Sequence, residues 1–292
     1  MTPLEHYALN AVLVNRVWHA SAENLLAVIP DEAVDLIVTS PPYDNLRTYQ
    51  GYTWDFERIA RESYRVLKRG GVLVWVVGDA TVNGSETLTS FRQALYFRDV
   101  VGFRMHDTMI WEKDSATYIR NTRRYAPIFE YMFIFTKGEV ATFNPLYQRN
   151  KLAGVEAIAS RRQRNGKNVQ YRDGKTPVKQ ENMMSNIWKI STGYMRLTAD
   201  RAAYTHPAMF PEELARRHIL TWSNPGDLVL DYFVGSGTTA KMARNTKRRY
   251  IVGDLSADYC AIARDRLRMP FERRHVKASD DVRDLPLFSC LP

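Results

Sequence analysis

The chain has 292 residues, 45% of them hydrophobic and 25% charged, with a formal net charge of +9. That is the ordinary globular range, long enough for one large α/β domain with an inserted segment or for two modest domains. A basic balance of this size is compatible with nucleic acid, an anionic membrane or acidic protein partners, and does not choose among them. Cys260 and Cys290 form no CxxC pair, and the histidines are scattered without an HExxH grouping. A zinc-type cluster is therefore excluded, no metal is expected, and the chain reads as intracellular and reduced, cytoplasmic or nucleoid-associated. The first ten residues lack a basic region followed by an apolar run, so no signal peptide is expected, and no stretch has the length needed to span a bilayer.

Residues 34–38 are short, β-branched and mostly apolar, and Pro41-Pro42 closes them; they read as a buried strand ending at a rigid turn. Phe56, Ile59, Ala60, Tyr64 and Leu67 recur at helical spacing, with Gly70-Gly71 as the stop. Residues 72–77 form a second buried strand, 87–101 a helix, and 105–112 and 129–136 two further strands. From about 140 to 197 periodicity fades. Arg149, Lys151, Arg161, Arg162, Arg164, Lys167, Arg172, Lys175 and Lys179 are opposed there by few acids, Glu156 and Asp173 among them. This reads as a loop-rich insert. The α/β pattern then resumes: Pro211 opens a helix with Glu212 and Glu213 in its first turn, Asn224 to Asp227 is a turn, and 228–230 is a strand. A glycine-rich loop follows, then a helix from about Thr238, a strand at 250–252 and a helix at 256–267. Strands alternating with helices predict an α/β fold, a mostly parallel twisted sheet with helices on both faces. Four regions result: 1–139, the insert 140–197, 198–270, and an irregular tail 271–292.

Two motifs carry chemistry. Asp231-Tyr232-Phe233-Val234-Gly235-Ser236-Gly237-Thr238-Thr239 links a strand to a helix, and its glycines allow a sharp turn and close approach to a ligand. Asp254, just past the next strand, stands where a carboxylate accepts from ribose hydroxyls, so the pair suggests an adenosine-containing cofactor. The third glycine of a dinucleotide fingerprint is missing, and Asp231 would repel a pyrophosphate. The sulfonium and amino groups of S-adenosyl-L-methionine suit that acid instead. Thr39-Ser40-Pro41-Pro42-Tyr43 ends the first strand at the carboxyl edge, where open α/β sheets bind ligands. Its prolines stiffen the turn and point carbonyl acceptors outward beside the Ser40 hydroxyl, while Tyr43 offers a flat face. Acceptors for two amine hydrogens and an aromatic platform are what an exocyclic amino group needs, once its base has left the duplex. Trp54, Trp75 and Trp111 read as core, and His19, His106 and His218 as structural or exposed.

With both motifs in one chain, the sequence resembles the DNA amino-methyltransferases, the N4-cytosine and N6-adenine group, in the permuted β class whose catalytic turn precedes the cofactor loop. Residues 29–43, Ser185 to Trp188, His206-Pro207 with Phe210 to Leu214, and 225–239 carry the likeness. The resemblance implies a circularly permuted class I methyltransferase fold. In it Ser40, Pro41, Pro42 and Tyr43 form the catalytic pocket. Asp231, Gly235, Ser236, Gly237 and Thr238 hold the methionine half of the cofactor and Asp254 its ribose, with Phe233 also in the cofactor site. His206, Phe210 and Pro211 close over the cofactor, and Ser21 or the nearby Glu23 stands where relatives contact the adenine. Relatives carry Asp-Pro-Phe where this chain has Asp231-Tyr232-Phe233. The basic insert falls at the target-recognition region. Arg161, Arg162, Arg164, Lys167, Arg172 and Lys175 there, with Arg47 after the catalytic turn, are the expected contacts to double-stranded DNA. Ser40 favours cytosine N4 over adenine N6. RNA or protein methylation and a catalytically silent DNA-binding module are the other readings. A homodimer and a companion restriction endonuclease are partners the resemblance allows; a membrane is not.

Overall fold

The computed structural model describes residues 12–42, 54–114, 123–164, 166–193, 196–198, 200–205, 209 and 211–269. They divide into two compact units, one holding the described residues up to Asn144 and from Asn186 onward, the other Pro145–Ser185. Arg47, the tail 271–292 and Cys290 lie outside the described residues.

The larger unit begins with β1 (Arg16–His19), α1 (Ala22–Ala27) and β2 (Val34–Thr39). It continues with α2 (Phe56–Val66), β3 (Leu67–Val77) and the small hairpin β4 (Thr81–Val82) and β5 (Ser85–Glu86). Helix α3 (Thr89–Tyr96) runs into a π-helical turn, Phe97–Val101, and β6 (Arg104–Glu112) and β7 (Phe129–Thr136) follow. The smaller unit is two antiparallel ladders, β8 (Tyr147–Arg149) with β11 (Glu181–Met183) and β9 (Glu156–Arg162) with β10 (Asn168–Pro177). The chain then returns through β12 (Ile187–Lys189), α4 (Glu212–Trp222), β13 (Leu228–Asp231), α5 (Thr238–Asn245), β14 (Arg249–Asp254) and α6 (Ala257–Arg268).

Eight strands form one sheet in the order β1-β14-β13-β2-β3-β7-β6-β12. The pairs from β1 through β3 are parallel, β7 is antiparallel to both neighbours, and β12 is parallel to β6. The expected mostly parallel sheet with helices on both faces is what forms. Its central strands read as near-continuous apolar runs because both faces are covered: Val34, Leu36, Ile37 and Val38 of β2 and Leu228, Val229 and Leu230 of β13 are fully buried. Burying each such side chain contributes roughly 1.5–3 kcal/mol against chain entropy. Trp75 is fully buried, packs on Phe97 with ring centroids 5.0 Å apart, and donates its indole N–H to Gln93. Trp111 is buried too, and Trp54 is half-buried against Trp75.

Two expectations need correction. Gly70-Gly71 does not stop a helix. Helix α2 ends at Val66, and both glycines lie inside β3. A side chain at Gly70, whose φ is +78°, would stand 2.6 Å from the Ala141 methyl, so the glycine serves a close approach of the 137–141 segment. The insert is not loop-rich, because its polar residues pair as the two ladders just described. The compact unit within it spans Pro145–Ser185, and β12 belongs to the main sheet. Polar strands of this kind carry weak periodicity, which hides them from pattern reading.

Candidate active site

Strands β2 and β13 are neighbours, with Val229 opposite Leu36 and Leu230 opposite Ile37, so their carboxyl ends emerge side by side. The two chemical motifs, almost two hundred positions apart in sequence, therefore meet at one rim. The Thr39 hydroxyl donates to Asp231 Oδ1 at 2.7 Å, and both residues are buried. The Thr239 hydroxyl donates to the Val38 carbonyl at 3.4 Å. Ser40 and Pro42 are half-buried on this rim with Pro41 buried between them. Tyr43 lies outside the described residues.

Asp231 is the electrostatic centre. Burial pushes its carboxyl up to about 6, with the nearby hydroxyls of Thr239 and Thr39 and the Phe233 amide pulling it back. Oδ1 accepts from Thr39 and from the Phe233 N–H at 3.0 Å, whereas Oδ2 is buried without a hydrogen-bond partner among the described residues. An orphan carboxylate oxygen beside a glycine loop calls for a cationic ligand or a donor. Tyr232 is buried and its phenol pairs with the Ser63 hydroxyl at 2.8 Å, tying the loop to α2. Phe233 packs edge-on against Trp54 at 5.2 Å.

The glycine loop is held from beneath. Gly235 has φ +50° and Gly237 φ +88°. A side chain at Gly237 would collide with the Ala263 backbone of α6 at 2.8 Å, so only glycine lets this helix approach. The Gly235 N–H donates to Asp254 Oδ2 at 3.0 Å, and the Ser256 N–H to Asp254 Oδ1 at 2.9 Å. Burial raises the Asp254 carboxyl, with the Ser256, Gly235 and Leu255 amides and the neighbouring His19 opposing the rise. Asp254 thus clamps the loop and still has lone pairs to offer. Asp254→Ala removes two charge-assisted bonds along with any ligand contact. We expect at least about tenfold weaker binding of S-adenosylmethionine by calorimetry, since one such bond contributes about 1.5–3 kcal/mol; unchanged affinity would remove Asp254 from the site.

Ser21 caps α1, its hydroxyl accepting from the Asn24 N–H at 3.2 Å, and stands one residue past Ala20, whose N–H donates to the Asp254 carbonyl. Glu23 accepts from the Asp55 N–H. Pro211 is the buried N-cap residue of α4, while His206 and Phe210 lie outside the described residues. In the smaller unit Arg164, Lys167 and Lys175 are exposed, as are Arg149, Lys151 and Lys179. The side chains of Arg161, Arg162 and Arg172 lie outside the described set. His218 is buried between Trp188 and Met132, and burial with Arg217 lowers its imidazole to about 3, a packing group. His19 is exposed, with Nε2 3.0 Å from the Leu255 carbonyl. Burial pushes the Cys260 thiol up to about 11, so it is no nucleophile at neutral pH.

One set of residues under the loop escaped the sequence reading. Arg266, fully buried, reaches the loop with one guanidinium nitrogen and bonds Asp200 and Glu212 with the others. Lys241 bonds the same two acids. In sequence these residues look like separate helix-surface charges, and nothing local signals their meeting.

An acid with an unpartnered oxygen and a stiff proline turn thus adjoin at the carboxyl edge of an open α/β sheet, the edge at which doubly wound proteins bind ligands. The chain belongs to the N6/N4 methyltransferase family: residues 34–265 match the family described as DNA methylase. It is 52% identical over 243 residues to the orphan methyltransferase M.BamHII of Bacillus amyloliquefaciens, covering 82% of this chain and 91% of that protein. Among solved structures it resembles the cytosine-N4-specific PvuII DNA methyltransferase in fold, with TM-score 0.64, 19% identity and 90% of each chain covered. It also resembles a structure described as that of a DNA modification methylase from Thermus thermophilus complexed with S-adenosyl-L-methionine. That match has TM-score 0.57 and 26% identity, and covers 86% of this chain and 92% of that one.

Proposed function

We propose that this DNA methyltransferase moves a methyl group from S-adenosyl-L-methionine to the exocyclic amino group of a flipped base, cytosine N4. The observation that carries the reading is the Thr39–Asp231 hydrogen bond, which joins the proline turn to the glycine-rich loop at one rim. The rim suits the methyl donor: a buried Asp231 oxygen has no partner among the described residues and awaits a cationic one, beside a glycine-rich loop. When bound, the donor supplies an electrophilic methyl group on a sulfonium. The chain's own residues do the rest. Asp231 attracts the amino end of the donor, and Asp254 accepts from its ribose. The Ser40 hydroxyl and the carbonyls of the proline turn accept from the two amine hydrogens. Holding them frees the nitrogen lone pair, which is otherwise delocalised into the ring. The fixed turn aligns that lone pair with the methyl group. Tyr43 is the proposed platform for the base, and His206, Phe210 and Pro211 are proposed to close over the donor.

Labelled-methyl transfer to duplex DNA, RNA and protein tests the reading, and nuclease digestion with mass spectrometry names the base. N4-methylcytosine in duplex DNA is the expected product. N6-methyladenine would replace the base assignment and leave the pocket standing, whereas transfer only to RNA or protein would overturn both.

The 145–185 unit is proposed to read the target, with Arg161, Arg162, Arg164, Lys167, Arg172 and Lys175, together with Arg47, on phosphates. About five such contacts predict a loss of DNA affinity on the order of 10²–10³-fold between 50 and 200 mM salt. Fluorescence anisotropy measures it, and a flat profile would reject the basic surface.

A further inference from the structure

We infer that Arg266 is a positioning residue for binding of the methyl donor, acting through the glycine-rich loop. The inference rests on the reading above that this loop holds S-adenosylmethionine. Arg266 lies on α6, has no exposed surface, and uses its whole guanidinium. One terminal nitrogen donates to the Ser236 carbonyl at 2.7 Å, to the Ser236 hydroxyl at 3.0 Å and to the Thr238 hydroxyl at 3.2 Å. Nε donates to Asp200 Oδ2 at 2.8 Å, and the other terminal nitrogen to Glu212 Oε1 at 2.6 Å and the Thr198 hydroxyl at 3.3 Å.

The acids are shared. Lys241 Nζ, from the helix the loop opens, stands 2.7 Å from Asp200 Oδ2 and 3.0 Å from Glu212 Oε1. The Thr198 hydroxyl donates to the same Glu212 oxygen at 2.6 Å. Burial would raise the Asp200 carboxyl, but the bonds from Lys241 and Arg266 outweigh it and hold it below its ordinary range. Two cations and two anions thus neutralise one another inside the fold. Such a quartet is a poor source of net stability, because desolvation offsets most of the attraction. What it supplies is geometry. A planar fork fixed by two carboxylates cannot rotate, so the Ser236 carbonyl and the Thr238 hydroxyl are held in one orientation. The loop is thereby held in a preformed arrangement, and Thr198, Asp200 and Glu212 are stapled to the same post. A donor binding a preformed loop does not have to order it.

The test uses the whole chain with Arg266→Lys and Thr198→Val, the second replacing by a methyl the hydroxyl that bonds Arg266, Glu212 and the Asp200 N–H. Calorimetry with S-adenosylmethionine, anisotropy with duplex DNA, thermal melting and initial rates are read together. For Arg266→Lys we expect donor affinity to fall at least about tenfold, with KM for the donor rising in step and kcat at saturating donor within about threefold of wild type. DNA affinity should not change. If Arg266→Lys fails to fold, Thr198→Val decides, with an expected loss of about threefold. Folded variants that bind the donor as wild type does, even with a lowered melting temperature, would make Arg266 purely structural and overturn the inference. A wild-type chain that does not bind S-adenosylmethionine would instead overturn the reading beneath it.

Discussion

Asp231→Asn should give a protein that melts higher than wild type and binds the methyl donor far more weakly. The carboxyl is raised to about 6 by burial, whereas in the unfolded chain it titrates near its ordinary value. Folding therefore favours the protonated form, and that contribution is complete below the unfolded value and lost as pH rises through about 6. At pH 7.5 the buried charge opposes folding of the ligand-free protein by about 3 kcal/mol, from about two pH units at 1.36 kcal/mol each. Asparagine keeps the acceptor that Thr39 and Phe233 use but brings amide hydrogens to the orphan position, and one unmade hydrogen bond costs about 1–2 kcal/mol. The net gain of about 1–2 kcal/mol raises the melting temperature by about 2–3 °C at pH 7.5. Donor affinity should fall about 10²-fold, because a charge-assisted contact to the amino end disappears. In the wild type, binding should weaken as pH drops below about 6. Differential scanning fluorimetry and calorimetry measure both effects. A lower melting temperature with undiminished affinity would sink the assignment of Asp231.

Ser40→Ala should cut single-turnover methyl transfer by about 10²–10³-fold, the range for removing one preorganised hydrogen-bonding group from a reacting centre. The donor's dissociation constant should stay within about twofold, since Ser40 stands at the end of β2 and the donor loop follows β13. Thr39 and its bond to Asp231 remain, so the rim keeps its shape. Rapid-quench assays with labelled donor and duplex DNA separate the two quantities. Undiminished transfer would move the amine acceptor elsewhere on the rim.

Much of this arrangement was legible before any coordinates, and the reasons are particular. Strands β2, β7 and β13 are apolar runs bounded by turn residues, so their positions could be read directly. The glycine-rich loop announces itself through Gly235 and Gly237, whose backbone angles few other residues adopt. Elements whose logic is long-range stayed hidden. Strand β1 is four residues of mixed polarity and exists because β14 offers an edge, with Arg16 opposite Ile251. The β8–β11 ladders are polar and lack the alternation that marks a half-buried strand. Gly70-Gly71 looked like a helix stop because glycine serves both ends of helices and close approaches, and only the Ala141 contact distinguishes them. The Arg266 quartet depends on four residues from separate segments, and no local rule predicts it.

The order of strands has a consequence for how the protein is made. On the ribosome β2 and β3 emerge together, but the partner of β2 on its other side, β13, follows almost two hundred residues later. Until that stretch clears the exit tunnel, one long edge of the nascent sheet waits unpaired, a contact that is slow to close and exposed to misassembly. The rim that would grip both nucleobase and methyl donor is completed only once β13 has joined β2, so a chain cut short before Leu228 would lack one wall of it.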